Sequence, residues 1–176
     1  MMRKIILFII VFPFLISANG IKEETESIIK SEFGENVEMA FSKFQIPIKL
    51  KNEIEVATKQ RFFSESIFVW LVTSNNSLIA LGLMDNVYGK AQPITFFTIF
   101  SLDGIVHSNH IIKYREEHGG QVANKDWNKQ FVGMDKNFDS NKKVDGISGA
   151  TISVNSVKKG VKKLIMLFEI VKKTNK

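Results

Sequence analysis

Ile94-Thr95-Phe96-Phe97-Thr98-Ile99-Phe100-Ser101-Leu102, then Asp103-Gly104, then Ile105-Val106-His107-Ser108-Asn109-His110-Ile111-Ile112-Lys113 reads as two strands joined by a tight turn. β-Branched and aromatic residues fill both runs, and Asp-Gly takes the positive φ angles that a short hairpin turn demands. Two long strands should therefore pair antiparallel across residues 103–104. Upstream, 67–73 and 78–84 flank Asn75-Asn76-Ser77 in a second strand, turn, strand pattern. Downstream, Val154, Val157, Val161, Leu164, Ile165, Phe168 and Val171 recur at helical spacing, which predicts a helix over 154–173 packed on the sheet. Ile21, Thr25, Ile28, Ile29 and Phe33 mark a helix over 21–33 that Gly34 ends, and 53–58 reads as a shorter helix after Pro47. The polar span 116–144 holds Gly119-Gly120, Trp127 and Gly133 and reads as a loop with a short helix over 126–131. The sum is an α+β domain with a mostly antiparallel sheet and flanking helices.

At 176 residues, with 44% hydrophobic content and 15 phenylalanines, the chain can bury one good core. The expected organisation is 1–20 as a leader, 21–66 as a helical N-terminal segment and 67–176 as the ligand-binding domain. The leader reading rests on Met1-Met2-Arg3-Lys4, the apolar run 5–16 and the small residues Ser17-Ala18-Asn19-Gly20, the three-part form of a signal peptide. Pro13 and a run shorter than the roughly 20 residues of a spanning helix favour cleavage after Ala18 or Gly20. The alternative is an uncleaved N-terminal anchor. On either reading the protein is expected to be exported, to the periplasm or the outer face of the cytoplasmic membrane.

The formal charge of +6 is spread along the chain without a nucleic-acid-binding motif, so nucleic acid is not an expected partner. Lys158, Lys159, Lys162, Lys163, Lys172 and Lys173 cluster near the C-terminus. They read as a solvated face, the alternatives being an acidic partner or weak association with an anionic membrane. The absence of cysteine excludes disulfides, thiolate metal sites, iron–sulfur clusters and thioether-linked haem, so a redox role would need a flavin. His107 and His110 point to opposite faces of a regular strand, which argues against a metal pair.

Asp145-Gly146-Ile147-Ser148-Gly149-Ala150-Thr151-Ile152-Ser153 stands just before the last helical pattern. Its small residues let an anionic group approach backbone N–H donors closely, and Thr151 sets a hydroxyl beside that cradle. The simpler reading is a turn and a helix cap, with Ser153 as N-cap. The two coexist, since a helix N-terminus offers unpaired N–H groups and partial positive charge where a phosphate sits.

This nonapeptide resembles the attachment motif of the FMN-binding domain family, seen in the covalent-flavin subunits of sodium-pumping NADH:quinone reductase and Rnf-type complexes. The likeness extends to Val87-Tyr88-Gly89-Lys90-Ala91-Gln92-Pro93-Ile94-Thr95-Phe96 leading into the central hairpin, to Asp103-Gly104 at its turn, to Tyr114-Arg115-Glu116-Glu117-His118-Gly119-Gly120 and to Gln130-Phe131-Val132-Gly133. The pump subunits carry a Glu-Thr-Pro-Gly-like loop where this chain has Glu117-His118-Gly119-Gly120.

The resemblance implies FMN joined by a phosphoester to Thr151. Attachment is then made by a separate magnesium-dependent flavin transferase that uses FAD and needs Asp145, a residue that locally also fixes the turn. The N–H groups of Ser148, Gly149, Ala150 and Thr151 are expected to hold the phosphate, with Lys142 or Lys143 either assisting or simply solvated. Glu117 and His118 are expected at the polar edge of the ring, and Tyr114 or Trp127 on its face, Trp127 equally fitting the core beneath the loop. The implied function is an exported electron-transfer flavoprotein that relays electrons to or from a membrane-associated redox protein or complex, a carrier more than a stand-alone enzyme, with no catalytic base and no metal site. The alternatives are a small extracytoplasmic flavin reductase and a non-flavin binding module that retains the turn.

Overall fold

A computed structural model describes residues 16–139 and 144–175. Most of the expected leader, residues 1–15, and Lys142 and Lys143 lie outside the described residues. The described chain runs α1 (Ile16–Phe33), β1 (Glu38–Gln45), α2 (Ile48–Thr58), β2 (Ser66–Ser74), β3 (Ser77–Tyr88), β4 (Pro93–Ser101), β5 (Val106–Lys113), α3 (Lys125–Asn128) and α4 (Thr151–Thr174). Five strands in the order β1-β2-β3-β4-β5 form one sheet, and every neighbouring pair is antiparallel. Among the described residues no helix is long and apolar enough to cross a membrane.

The two sequence-predicted hairpins are present. The Gly104 N–H donates to Ser101 O at 3.0 Å with Gly104 at φ 77°, and Asn75 and Asn76 take φ 50° and 59° at the β2–β3 turn. Both turns thus use the positive φ values that keep the twist of a tight hairpin. β4 is buried along nearly its whole length because helices cover both faces of the sheet. On one face Leu83, Val87, Phe96 and Phe100 pack with Val157, Val161, Leu164 and Phe168 of α4. On the other, Trp70, Met84, Phe97 and Ile99 pack with Ile29 of α1.

Three expectations are corrected. The segment 21–66, read as helical, also contains β1, an edge strand whose Phe41 lies opposite Trp70 of β2. Only Phe44 of its eight residues is buried, so the apolar alternation that reveals a strand is nearly missing. α2 begins at Ile48, directly after Pro47, five residues before the expected start. His107 is the extra residue of a β-bulge, because Ile99 pairs with Ser108 and Phe100 with Val106. The bulge turns both histidines toward Glu32 of α1, His110 Nε2 at 2.7 Å and His107 Nε2 at 3.3 Å from its carboxylate oxygens.

The described residues of the span 116–144, namely 116–139 and Val144, form a layer of their own. Val122, Trp127, Phe131, Phe138 and Val144 join the core on the α4 side. A buried polar chain fastens this layer to the hairpin: Thr98 Oγ1 donates to Asn109 Oδ1 at 2.8 Å, and Asn109 Nδ2 donates to Asn128 Oδ1 at 2.7 Å. Asn128 Nδ2 completes the chain by donating to Val122 O at 2.6 Å. α3 is thereby fixed in the orientation from which Trp127 reaches the site.

Lys163, grouped by sequence with the solvated lysines, is fully buried. Its ammonium lies 3.0 Å from Asp85 Oδ2 of β3, donates to Arg61 O at 3.1 Å and stands 4.3 Å from the Phe62 ring centre. Burial pushes the Asp85 carboxyl upward while Lys163 opposes that shift. The pair locks α4 to the sheet at one register. Lys163→Met should cost about 3–5 kcal/mol in urea unfolding by leaving the carboxylate buried without its cation, and pairing it with Asp85→Leu should recover much of that loss.

Candidate functional site

α4 begins without a side-chain cap. Residues 147–150 form a turn, with the Ala150 N–H donating to Ile147 O at 3.0 Å and Gly149 at φ 76°. Positive φ at the third turn position suits glycine. Ala150 is the N-cap and has no side-chain acceptor to offer, and the first helical bond runs from the Val154 N–H to Ala150 O at 2.9 Å. The N–H groups of Thr151, Ile152 and Ser153 therefore precede the first helical donor. A serine or aspartate at 150 would occupy those donors, whereas alanine leaves them open to a ligand. Ser153, expected as the N-cap, is instead the third helical residue, buried with its Oγ 3.1 Å from the Tyr114 hydroxyl.

Thr151 is exposed at the edge of a cavity of about 630 Å³. That size falls within the range of small-molecule sites, roughly 300–1,000 Å³. Gly149, Ala150, Thr151, Glu117 and His118 border it on one side, and Lys90, Gln92, Arg115 and Glu116 on the other. An adjoining hollow of about 530 Å³ shares Glu117, His118 and Gly149 and adds Ser148.

Each wall is held by identifiable bonds. Gly119 sits so close to the start of α4 that an added Cβ would lie 2.6 Å from Ala150 Cβ and 2.8 Å from the Tyr114 oxygen. Tyr114 donates its hydroxyl to His118 O, which ties the 117–120 loop to the strand it leaves. From below, Trp127 Nε1 donates to Asp145 O at 2.9 Å, and the Asp145 N–H donates to Gln130 Oε1 at 2.8 Å. Across the cavity, Glu116 accepts the N–H groups of Ala91 at 2.8 Å and Gln92 at 3.1 Å. Arg115 Nη1 donates to Pro93 O at 3.0 Å and Thr95 Oγ1 at 3.1 Å. Residues 115–116 thus fasten the β3–β4 connection opposite Thr151.

The sequence-predicted residues fall into three groups. Gly149, Ala150, Thr151, Glu117 and His118 share the larger cavity, and Ser148 borders the adjoining hollow. Asp145 borders neither; its side chain is exposed and its backbone is the fixed point. Trp127 is buried beneath the turn, and Tyr114 braces the loop from behind. Lys90, Gln92, Arg115 and Glu116 were not anticipated as site residues. They lie in the stretches 87–96 and 114–120 that carry the family likeness, but neither stretch says which side chains turn toward the site. Among the described residues no group of three or more histidines or acids could hold a metal ion.

The cavity therefore combines an uncapped helix N-terminus, an exposed hydroxyl beside it, two cations in Lys90 and Arg115, and space for a large planar ligand. Residues 89–166, a span that includes both walls and the first two-thirds of α4, match the family model of the FMN-binding domain. No curated protein matches the chain.

The Ala91 N–H, followed by that of Gln92, holds the Glu116 carboxyl below the ordinary glutamate range. A lowered folded pKa means that the clasp is intact above about pH 4.3, the unfolded value. It is lost only as pH falls through the lower folded value. Amide chemical shifts of Ala91 and Gln92 followed by NMR should accordingly titrate with a midpoint below pH 4.3, and Glu116→Gln should flatten that titration.

Proposed function

Residues 89–166 are a domain of the FMN-binding family, and from that premise we propose that the protein is an exported electron carrier whose FMN is joined by a phosphoester to Thr151. The observation that carries the reading is the exposed Thr151 hydroxyl on an uncapped helix N-terminus at the mouth of a cavity of about 630 Å³. The flavin phosphate keeps a negative charge after esterification, so the open N–H groups of the first turn and the partial positive charge of α4 stabilise it. Lys90 and Arg115 add positive charge on the facing wall. Glu117 and His118 stand where they can accept and donate hydrogen bonds to the polar edge of a ring in the cavity. The bound flavin supplies one- and two-electron chemistry, and the protein supplies position, hydrogen bonds and exclusion of water.

Attachment by a separate flavin transferase fits a hydroxyl that an enzyme can reach from solvent. The Thr151 oxygen bonds to the FMN phosphorus of FAD, the pyrophosphate bond breaks, AMP departs and the hydroxyl proton is released. A tether also suits the expected export, since a cofactor bound only at equilibrium is lost by dilution outside the cell. The natural partner is a membrane-associated redox protein or complex. A second reading, a small extracytoplasmic flavin reductase, draws on the adjoining hollow of about 530 Å³, which leaves room for a substrate beside the cofactor; turnover of a soluble acceptor by the isolated protein would favour it.

Coexpression with an active FMN transferase should raise the intact mass by one FMN less one water and give in-gel flavin fluorescence. Thr151→Ala should abolish both while leaving the unfolding free energy from urea titration within about 0.5 kcal/mol of wild type, since the exposed side chain has no role in packing. An unmodified wild type beside a modified control substrate would instead identify a binding module that has kept only the turn.

A further inference from the structure

We propose that the stripe of α4 formed by exposed Asn155 and half-buried Lys158, Lys159 and Lys162, next to Thr151, is the docking surface for an acidic redox protein. At about 100° per residue these four positions fall within one sector of about 100° on the helix. The burial pattern agrees, because Ser153, Val154, Val157, Gly160 and Val161 between them face the core. Lys158 lies two turns above Thr151, about 10 Å along the axis. A partner seated on these lysines is therefore brought beside the cofactor site.

Internal contacts hold parts of this stripe, Lys162 Nζ lying 6.0 Å from the Phe138 ring centre, but they do not neutralise its charge. Lys163 is neutralised by Asp85, and Lys172 and Lys173 sit in the last turn, where a helix favours cations. Lys158, Lys159 and Lys162 stand well before that turn, and Lys158 and Lys162 are a like-charge pair four residues apart, which weakens a helix. Among the described residues none of the three meets a carboxylate: Lys159 Nζ donates to Lys59 O at 3.4 Å and Lys162 Nζ to Lys136 O at 3.0 Å. Those contacts bring exposed Lys59 and Lys136 alongside and widen the positive field. The nearby Asp135 carboxylate is turned inward on Asn137, accepting its backbone N–H at 2.8 Å.

The chemistry that fits is an acidic protein surface. An interfacial membrane helix must lay apolar residues into lipid, whereas the apolar face of α4 is spent on the core and Asn155 and Ser156 separate the lysines from Ile152. Transient redox encounters are small, polar and steered by complementary charge. Docking itself needs no flavin; the electron-transfer consequence rests on the carrier reading above.

The test uses the full chain and a dye-labelled acidic plant-type ferredoxin as probe, with binding followed by fluorescence anisotropy at low salt. Wild type should bind, and binding should vanish as salt approaches about 1 M, where screening acts over about 3 Å. Lys158→Glu/Lys159→Glu/Lys162→Glu should weaken binding at least about tenfold while its thermal unfolding and flavin loading stay as in wild type. Flavin-free Thr151→Ala should bind the ferredoxin as wild type does, so the docking surface stands or falls apart from the attachment reading. Equal affinity of the triple variant, or binding indifferent to salt, would overturn the proposal. So would failure to bind ferredoxin alongside lysine-dependent sedimentation with phosphatidylglycerol vesicles, which would assign the stripe to a lipid surface.

Discussion

The contact of Gly119 with Ala150 is the constraint on which the site depends. Two backbones approach until position 119 has no room for a side chain, an added Cβ there falling 2.6 Å from that of Ala150. Residue 150 is a buried alanine with no side-chain acceptor, so the first N–H groups of α4 remain open. The same packing sets the 117–120 loop against the helix, so Glu117, His118 and Thr151 border one cavity.

Behind this contact stand two supports of different kinds. Trp127 and Gln130 hold the Asp145 backbone and thereby the approach to the turn, while the Thr98, Asn109, Asn128 chain holds α3, which carries Trp127. The Lys163–Asp85 pair fixes α4 farther along its length. A buried pair of this sort adds little net stability over apolar packing, but it penalises every register that parts its members. A cofactor joined to Thr151, as proposed above, would benefit from such fixing, because a shift of the helix would carry that residue away from the opposite wall.

Much of this was legible in the residues. The turns Asp103-Gly104 and Asn75-Asn76 announced both hairpins, since positive φ restricts residue choice, and the spacing of Val157, Val161, Leu164 and Phe168 announced the face of α4 that meets the sheet. β1 escaped because an edge strand with one buried residue has no alternation to detect. The histidine bulge escaped because one inserted residue reverses the parity of everything beyond it, and nothing in Val106-His107-Ser108 marks the insertion. The small-residue motif located the Thr151 edge of the cavity. The opposite wall depends on pairing across 25 residues, where the Glu116 carboxylate finds the Ala91 N–H, a contact no local pattern encodes.

The central claim is that the hydroxyl at the open start of α4, and no other, carries the cofactor. It is tested most directly by tandem mass spectrometry of the tryptic peptide 144–158 from flavin-loaded protein, which contains Ser148, Thr151, Ser153 and Ser156 together. The fragment series should place the FMN phosphate on Thr151 alone. Flavin mass on Ser148 or Ser153, or loaded protein whose 144–158 peptide is unmodified, would contradict it.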